Sequence, residues 1–260
     1  MLAAASSLIA GMLPQNIAAR RLCNPEPPDL SPNAARSNEE QNSPFMTATY
    51  VNVVRAVAAI ITLAIYPLVL VLPSQAAWEN QIVENTQVAV LVAGCVAAVA
   101  FCVRSRGQWR WFWLVTAMIW LLLSGREISW GGSFYPLTRM TVLGPFFSAR
   151  ELWYWPVIYP LVGVLGLVML FIVIRYRTWE ICKDIVQDRS APIAETLCVV
   201  ALSVISLAGE GRAGPLSTFL PHSIVFEELA ELAAYVWLLA AQFVTEDYRT
   251  QKFRIICSTC

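Results

Sequence analysis

The residues whose types and spacing suit chemistry best are carboxylates inside the last long apolar segment of the chain. On a helix, one face of this segment presents Glu228, Glu231, Tyr235, Leu238 and Gln242 at intervals of three or four residues. Glu227 lies at the edge of that face, and the only histidine, His222, precedes the segment. A carboxylate at membrane depth is costly, so it normally faces the interior of a helix bundle or water. This face is therefore the first candidate for a functional site.

Two other apolar segments carry polar faces of the same kind. The third segment presents Trp113, Thr116, Trp120, Ser124 and Glu127 on one face. The side chain of Arg126 is expected to point away from that face. The fifth segment presents Glu195, Val199, Ser203, Ser206 and Glu210 in the same way. Because each face carries an acid at its outer end, we predict that five site residues converge toward the external leaflet: Glu127, Glu210, Glu228, Glu231 and His222.

Several kinds of chemistry fit these groups. Carboxyl groups within a few ångströms of one another cannot all ionise in a low dielectric, so at least one is expected to hold a proton and act as a general acid or proton carrier. Glutamate and histidine could instead hold a divalent metal that activates water, although without an H-E-x-x-H spacing the ligands would come from different helices. The cofactor and the metal stay unassigned. A weaker possibility pairs Ser133 as nucleophile with His222 as base.

A purely structural role for the acids is the alternative. Glu127 and Glu210 lie near the ends of their segments, where carboxylates reach the headgroups or pair with nearby arginines such as Arg126. Glu231 lies more than two helical turns after His222, so this explanation suits it less well.

The elements that position these residues are predicted to be membrane helices. The chain of 260 residues is 57% hydrophobic and only 14% charged, with a mean hydropathy of +0.57, whereas soluble domains are about one quarter charged. Six apolar segments are close to the roughly 20 residues that cross a bilayer: about 51–72, 87–103, 111–130, 153–174, 193–209 and 224–244. The predicted fold class is all-α, a polytopic membrane helical bundle of about six transmembrane helices. The connection 131–151 is expected to form a short helix or a re-entrant piece at the interface.

The charges of the loops predict the orientation. Basic residues accumulate at 104–110, at 175–189 and in the tail at 249–254, whereas the loop at 74–86 has acids and no basic residue. Positive loops stay cytoplasmic, so we predict a multi-pass protein of the cytoplasmic (inner) membrane with both termini in the cytoplasm. Four arginines then fall outside, where they either pair with the acids or serve as ordinary loop residues: Arg126, Arg139, Arg150 and Arg212. The bilayer is the expected partner, and a net charge of zero gives no basic patch for nucleic acid.

The two ends differ from the domain between them. Residues 1–45 join an Ala-rich stretch to one rich in Pro, Asn, Ser and Glu that buries too little surface to fold. They are either a targeting segment or, as we favour, an extension that precedes a true start at Met46. Residues 46–250 are predicted to form the six-span domain and 251–260 a cytoplasmic tail. Cys257 and Cys260 in that tail supply two of the four ligands that zinc prefers, and the seven scattered cysteines do not describe a disulfide framework.

The residues around Glu127 also carry a family resemblance. They read Gly125-Arg126-Glu127-Ile128-Ser129-Trp130-Gly131, which resembles a G-x-E-I-S-W-G element of uncharacterised multi-pass bacterial membrane proteins. The last span of those proteins often begins with paired glutamates, as Glu227 and Glu228 do here. Arg126 stands where a second acid is usual and Gly132 where a glutamine is usual, so the resemblance carries over only to Glu127, Ser129 and Trp130. It implies a location for the site and no activity.

Three classes of function are compatible with these features. The leading hypothesis is a membrane-embedded enzyme that acts on a lipid-linked or membrane-partitioned substrate. The second is a proton- or cation-coupled carrier, which a discontinuous helix or an inverted repeat would favour, and neither is evident in the sequence. The third is a non-catalytic accessory subunit whose polar faces pair with a partner.

Overall fold

The chain folds as an all-α helical bundle, as its composition predicts. The computed structural model describes residues 44–78, 81–135, 139–141, 144–146, 149–188, 192–209 and 224–259. Within them the helices are α1 (Pro44–Val71), α2 (Ile82–Arg104), α3 (Gln108–Glu127), α4 (Trp155–Arg175), α5 (Trp179–Gln187), α6 (Ile193–Gly209) and α7 (Ile224–Thr259). Residues Met46–Gln251 form one compact unit, and the description below concerns that unit. Residues 1–43, on which most of the predicted N-terminal extension falls, lie outside the described residues.

The long apolar stretches fold as helices of membrane length. Among the described residues, three stretches are long and apolar enough to cross a membrane: Thr49–Val71, Ser74–Arg104 (which contains α2) and Trp155–Arg175. Pro67 lies inside α1 without ending it, an interruption that membrane helices tolerate because neighbouring groups satisfy the freed backbone. The helix α6 is apolar but shorter. These helices support the assignment of the chain as a membrane protein.

The last helix, α7, lies at the centre of the packing. Its Ala230 and Ala233 have no exposed surface, and small residues of this kind let neighbouring helices approach closely. The cluster around them includes buried side chains from α1, α2 and α6. In contrast, Leu63 on α1 is 80% exposed and Leu167 on α4 is 66% exposed, as expected for helices whose outer faces meet lipid.

The helix boundaries differ from the predicted segments in several places. At 36 residues, α7 runs well beyond residue 244; at 1.5 Å per residue it is roughly 54 Å long, more than the roughly 30 Å of a hydrocarbon core. The short helix α5 was not among the predicted segments, because its amphipathic pattern is too brief for a span. It buries Ile181 and Ile185 against Tyr248. Glu84, assigned to an outer loop, lies in the first turn of α2 and is buried.

The connection after α3 is built from turns and a hairpin. The predicted third segment extends to Trp130, but α3 ends at Glu127 because Ser129 and Trp130 adopt left-handed φ values of 47° and 55°. A kinked 3₁₀ segment follows at Ser129–Phe134, interrupted at Trp130 and Gly131, and a 3₁₀ turn forms at Ala149–Glu151. Between them, strands β1 (Arg139–Thr141) and β2 (Gly144–Phe146) pair antiparallel.

Candidate functional site

Three of the five predicted site residues fall within the described chain. Glu127 ends α3, and Glu228 and Glu231 lie in the first turns of α7. Glu210 and His222 lie outside the described residues, as does the histidine of the alternative pairing with Ser133. The structure brings Glu127 and Glu231 together and turns Glu228 toward a different neighbour.

The guanidinium of Arg126 joins the carboxylates of α3 and α7. Its Nη2 donates to Glu127 Oε1 at 2.7 Å, and it donates to the two carboxylate oxygens of Glu231 at 3.1 and 3.0 Å. Its Nε also donates to Glu127 Oε1 at 3.0 Å. The prediction that Arg126 points away from this face is therefore wrong: its long, flexible side chain lies across the face and meets both acids. The structural alternative, in which the acids pair with a nearby arginine, fits both Glu127 and Glu231.

Hydrogen bonds from two hydroxyl groups complete this cluster. Tyr235 Oη donates to Glu127 Oε1 at 2.7 Å and accepts from Arg126 Nη2 at 2.9 Å. Ser206 Oγ, from α6, donates to Glu231 Oε1 at 3.2 Å. The polar faces of α3, α6 and α7 therefore meet at one place. We call these five residues the Arg126 cluster: Arg126, Glu127, Ser206, Glu231 and Tyr235.

The charges of the Arg126 cluster are unevenly exposed. The side chains of Glu127 and Glu231 are 8% and 17% exposed, whereas that of Arg126 is 56% exposed. Two carboxylates thus share one guanidinium, which leaves an excess of one negative charge when both are ionised. The carboxylates and the tyrosine hydroxyl are shielded, and the cation forms the side of the cluster that opens outward. The carboxylates and the hydroxyl can exchange protons while the guanidinium binds an anionic group.

Glu228 is held by α2 instead of by Arg126. The buried amide of Gln87 donates to Glu228 Oε2 and to the Glu228 main-chain carbonyl, each at 2.8 Å. Gln87 has no exposed surface, and its own Oε1 is buried without a hydrogen-bond partner within the described part of the chain. Glu228 lies one turn before Glu231 on α7, so a second carboxyl group stands beside the Arg126 cluster.

The turn after α3 explains the glycines of the G-x-E-I-S-W-G element. A Cβ on Gly125 would lie 2.7 Å from the ring of Trp130, which folds back against the helix. Gly131 has a φ of 93°, and a Cβ there would lie 2.6 Å from Tyr154 Oη. That hydroxyl donates to the Trp130 carbonyl at 3.0 Å. Left-handed residues such as Ser129 and Trp130 persist only where surrounding contacts hold them, and they cluster at functional sites.

The remaining parts of the predicted polar faces have a packing role. Trp120 Nε1 donates to Gln242 Oε1, and Gln242 Nε2 donates to the Gly94 carbonyl at 3.2 Å, which ties α3, α7 and α2 together. At the other end of α6, the buried carboxylate of Glu195 pairs with Arg55 of α1. Glu195 therefore lies outside the Arg126 cluster, although it shares a predicted face with Ser206.

Reasoning from the sequence missed two residues that shape the site. Arg126 was assigned to a different face because helical periodicity fixes the direction of the Cβ atom and not the path of a long side chain. Gln87 lies at the predicted start of the second span, where a polar residue is common and does not indicate a site. A signal for Arg126 existed, since a charge inside an apolar segment requires a partner.

The described residues contain no group of three or more His, Cys, Asp or Glu side chains placed to hold a metal ion. Comparisons of the chain with protein-family models, with curated proteins and with solved structures found no match.

Proposed function

We propose that this protein is a multi-pass enzyme of a bacterial inner membrane that acts on a lipid-like substrate at the Arg126 cluster. In this proposal the protein is related to those with the G-x-E-I-S-W-G element. Both termini lie in the cytoplasm, and the cluster opens toward the outer leaflet. Tyr235, Glu127 and Glu231 are the acid–base groups, and Arg126 binds an anionic group of the substrate.

The observation that carries this proposal is the bridge from Arg126 to carboxylates of two different helices. The Tyr235 hydroxyl lies within 2.9 Å of both Glu127 Oε1 and Arg126 Nη2, which is the distance over which a proton passes along a hydrogen bond. Nε and Nη2 of Arg126 already donate within the cluster, so Nη1, on the half-exposed side of the guanidinium, is the group that donates to an oxygen of a phosphate or carboxylate. Shielded acids beside an accessible cation suit an acid–base step on an anionic substrate.

An apolar cavity beside the turn supports a lipid-like substrate. It has a volume of about 240 Å³ and is lined by Trp130, Tyr154, Val157, Ile158 and Leu161. Trp130 follows Glu127 by three residues and packs on Gly125, so the cavity and the Arg126 cluster both adjoin the carboxyl end of α3. Its lining side chains are almost all apolar, and a hydrocarbon chain is the ligand that such a surface binds best.

Lipid analysis of a strain that lacks the gene tests this function. An enzyme of this kind should leave its substrate unconverted, so one membrane lipid should accumulate and should disappear when the wild-type chain is supplied. Glu231→Gln should fail to restore the lipid profile while accumulating normally in the membrane. Asp247→Asn is the matched control, because it neutralises an acid on the same helix that contacts Gln251 instead of the cluster. An unchanged lipid profile in the deletion strain, or full restoration by Glu231→Gln, contradicts the proposal.

A carrier is the second candidate, and the pair formed by Gln87 and Glu228 favours it. This pair extends the line of carboxyl groups along α7 by one turn, and Gln87 Oε1 is a buried acceptor beside it. Chains of carboxyl groups of this kind relay protons in membrane transporters. Proton flux measured in proteoliposomes separates the two functions: a carrier should dissipate an imposed pH gradient, Glu228→Gln should abolish that flux, and an enzyme should show none.

The orientation is tested by labelling introduced cysteines from either side of the membrane. Gln75 is exposed in the turn before α2, whereas the neighbouring Ala77 is buried and unsuitable. In a chain whose native cysteines are replaced, Gln75→Cys should react with an impermeant maleimide added outside intact cells. Gln187→Cys, exposed at the end of α5, should react only after the membrane is opened. The reverse pattern would place the Arg126 cluster at the inner leaflet.

A further inference from the structure

A groove with a volume of about 400 Å³ lies between α3, α4, α5 and α7. On α3 it uses residues such as Trp113 and Trp120, and on α7 it uses Gln242 and Thr245. These positions lie toward the ends of α3 and α7 that are remote from Arg126 and Glu231. The groove is therefore a different site from the Arg126 cluster, and its floor is mostly apolar and aromatic.

A cationic side chain lies beside one of the residues that line this groove. Lys183 Nζ is 3.7 Å from the ring centroid of Trp179, which lines the groove. Lys183 is exposed. The acid Glu180 on the same helix as Lys183 pairs with Arg177 at 2.7 Å, which neutralises it locally.

We propose that this groove binds one anionic phospholipid, whose acyl chain occupies the apolar floor and whose phosphate meets Lys183. Basic residues at the mouth of a pocket between membrane helices recognise anionic headgroups. Trp179 lies beside Lys183, and tryptophan side chains concentrate at the boundary between hydrocarbon and headgroups. The amphipathic helix α5 lies along this boundary, since it buries Ile181 and Ile185 and exposes Lys183. The groove holds this lipid whatever reaction the Arg126 cluster performs.

Cys182, which lines the groove and is exposed, provides the measurement. The full chain, with Cys182 as its only cysteine, is placed in nanodiscs of phosphatidylcholine alone or with added phosphatidylglycerol, and the rate of maleimide labelling is followed. Gln187→Cys, placed at the end of the same helix as the sole cysteine, is the control for the local pH at a charged surface. Phosphatidylglycerol should slow the labelling of Cys182 relative to that of Gln187→Cys.

The contribution of Lys183 is measured by raising the fraction of phosphatidylglycerol and following the protection of Cys182 from labelling. One Lys or Arg near the surface contributes about 1 kcal/mol to binding of an anionic lipid, so Lys183→Gln should raise the half-protecting lipid fraction roughly fivefold. Native mass spectrometry should find one retained phosphatidylglycerol in the wild type and fewer in Lys183→Gln.

Four outcomes overturn the proposal. Equal labelling ratios with and without phosphatidylglycerol show that the groove is not occupied by an anionic lipid. Equal protection by phosphatidylcholine alone, compared with detergent, shows that the headgroup charge plays no part. Protection by inorganic phosphate in phosphatidylcholine nanodiscs assigns Lys183 to the binding of a free anion. An unchanged titration for Lys183→Gln removes the assigned phosphate contact.

Discussion

Replacing Gly94 by alanine tests how the helices that carry the site are held together. An added Cβ would lie 2.5, 2.6 and 2.7 Å from three ring atoms of Trp120. Carbon atoms in contact prefer separations of about 3.5–4.0 Å, so each pair would be roughly 1 Å too close. Movement of the ring into the neighbouring groove would break a buried hydrogen bond, because Trp120 Nε1 donates to Gln242. Gln242 in turn donates to the Gly94 carbonyl.

The expected effect follows from three contributions to the free energy of unfolding. Overpacking in a rigid core costs about 1–3 kcal/mol. A displaced Trp120 weakens its hydrogen bond to Gln242, at about 1 kcal/mol. Alanine regains about 1 kcal/mol because it favours a helix more than glycine does. We therefore expect Gly94→Ala to destabilise the protein by about 1–3 kcal/mol.

The assay is equilibrium unfolding of purified protein in detergent or bicelles. Gly163→Ala is the matched control, since it is the same substitution in α4 and nothing lies within 4 Å of the added Cβ; it should not destabilise the protein. Trp120→Phe introduced into Gly94→Ala provides more space, so the double variant should lose less stability than the sum of the single changes. A Gly94→Ala protein as stable as Gly163→Ala would refute the close packing of α2 on α3.

Four further variants are tested in the same unfolding assay. Arg126→Gln should lower the free energy of unfolding by about 2–3 kcal/mol, because it leaves two shielded carboxylates facing each other; the value is below that of a fully buried pair because the cation is half exposed. Glu231→Gln should change it by less than about 1 kcal/mol, because the amide oxygen still accepts from the arginine, and equal losses in the two variants would contradict this assignment. Gly125→Ala should destabilise the protein by about 1–3 kcal/mol, because its Cβ would lie 2.7 Å from the Trp130 ring, and a neutral result would mean that the turn after α3 yields easily. Glu195→Gln should lower stability by about 1 kcal/mol yet leave the lipid profile of the strain unchanged, since its carboxylate pairs with an arginine of α1 far along α6 from the cluster; an altered profile would extend the site to that end.

The sequence determined the helices and the faces on which the polar residues lie. Apolar stretches of about membrane length have few alternatives to a helix, because every backbone polar group must be satisfied within the segment. Helical periodicity then placed Glu231, Tyr235 and Gln242 on one face of α7, and all three bond to α3 in the structure. The convergence of Glu127 and Glu231 is predicted from the position of each acid at the outer end of its polar face. Their catalytic role stays a prediction.

Tertiary structure alone decided which partners these polar groups choose. The direction of Arg126 is set by the two carboxylates that attract it and not by its position in the helical repeat, so periodicity assigned it wrongly. Glu228 and Glu231 share a face, yet Gln87 of α2 holds one and Arg126 of α3 holds the other. The approach of Trp120 to Gly94 also requires two helices to be in contact. A sequence records the spacing of groups along one helix, whereas a charge or ring takes its partner from whichever neighbouring helix packing brings within reach.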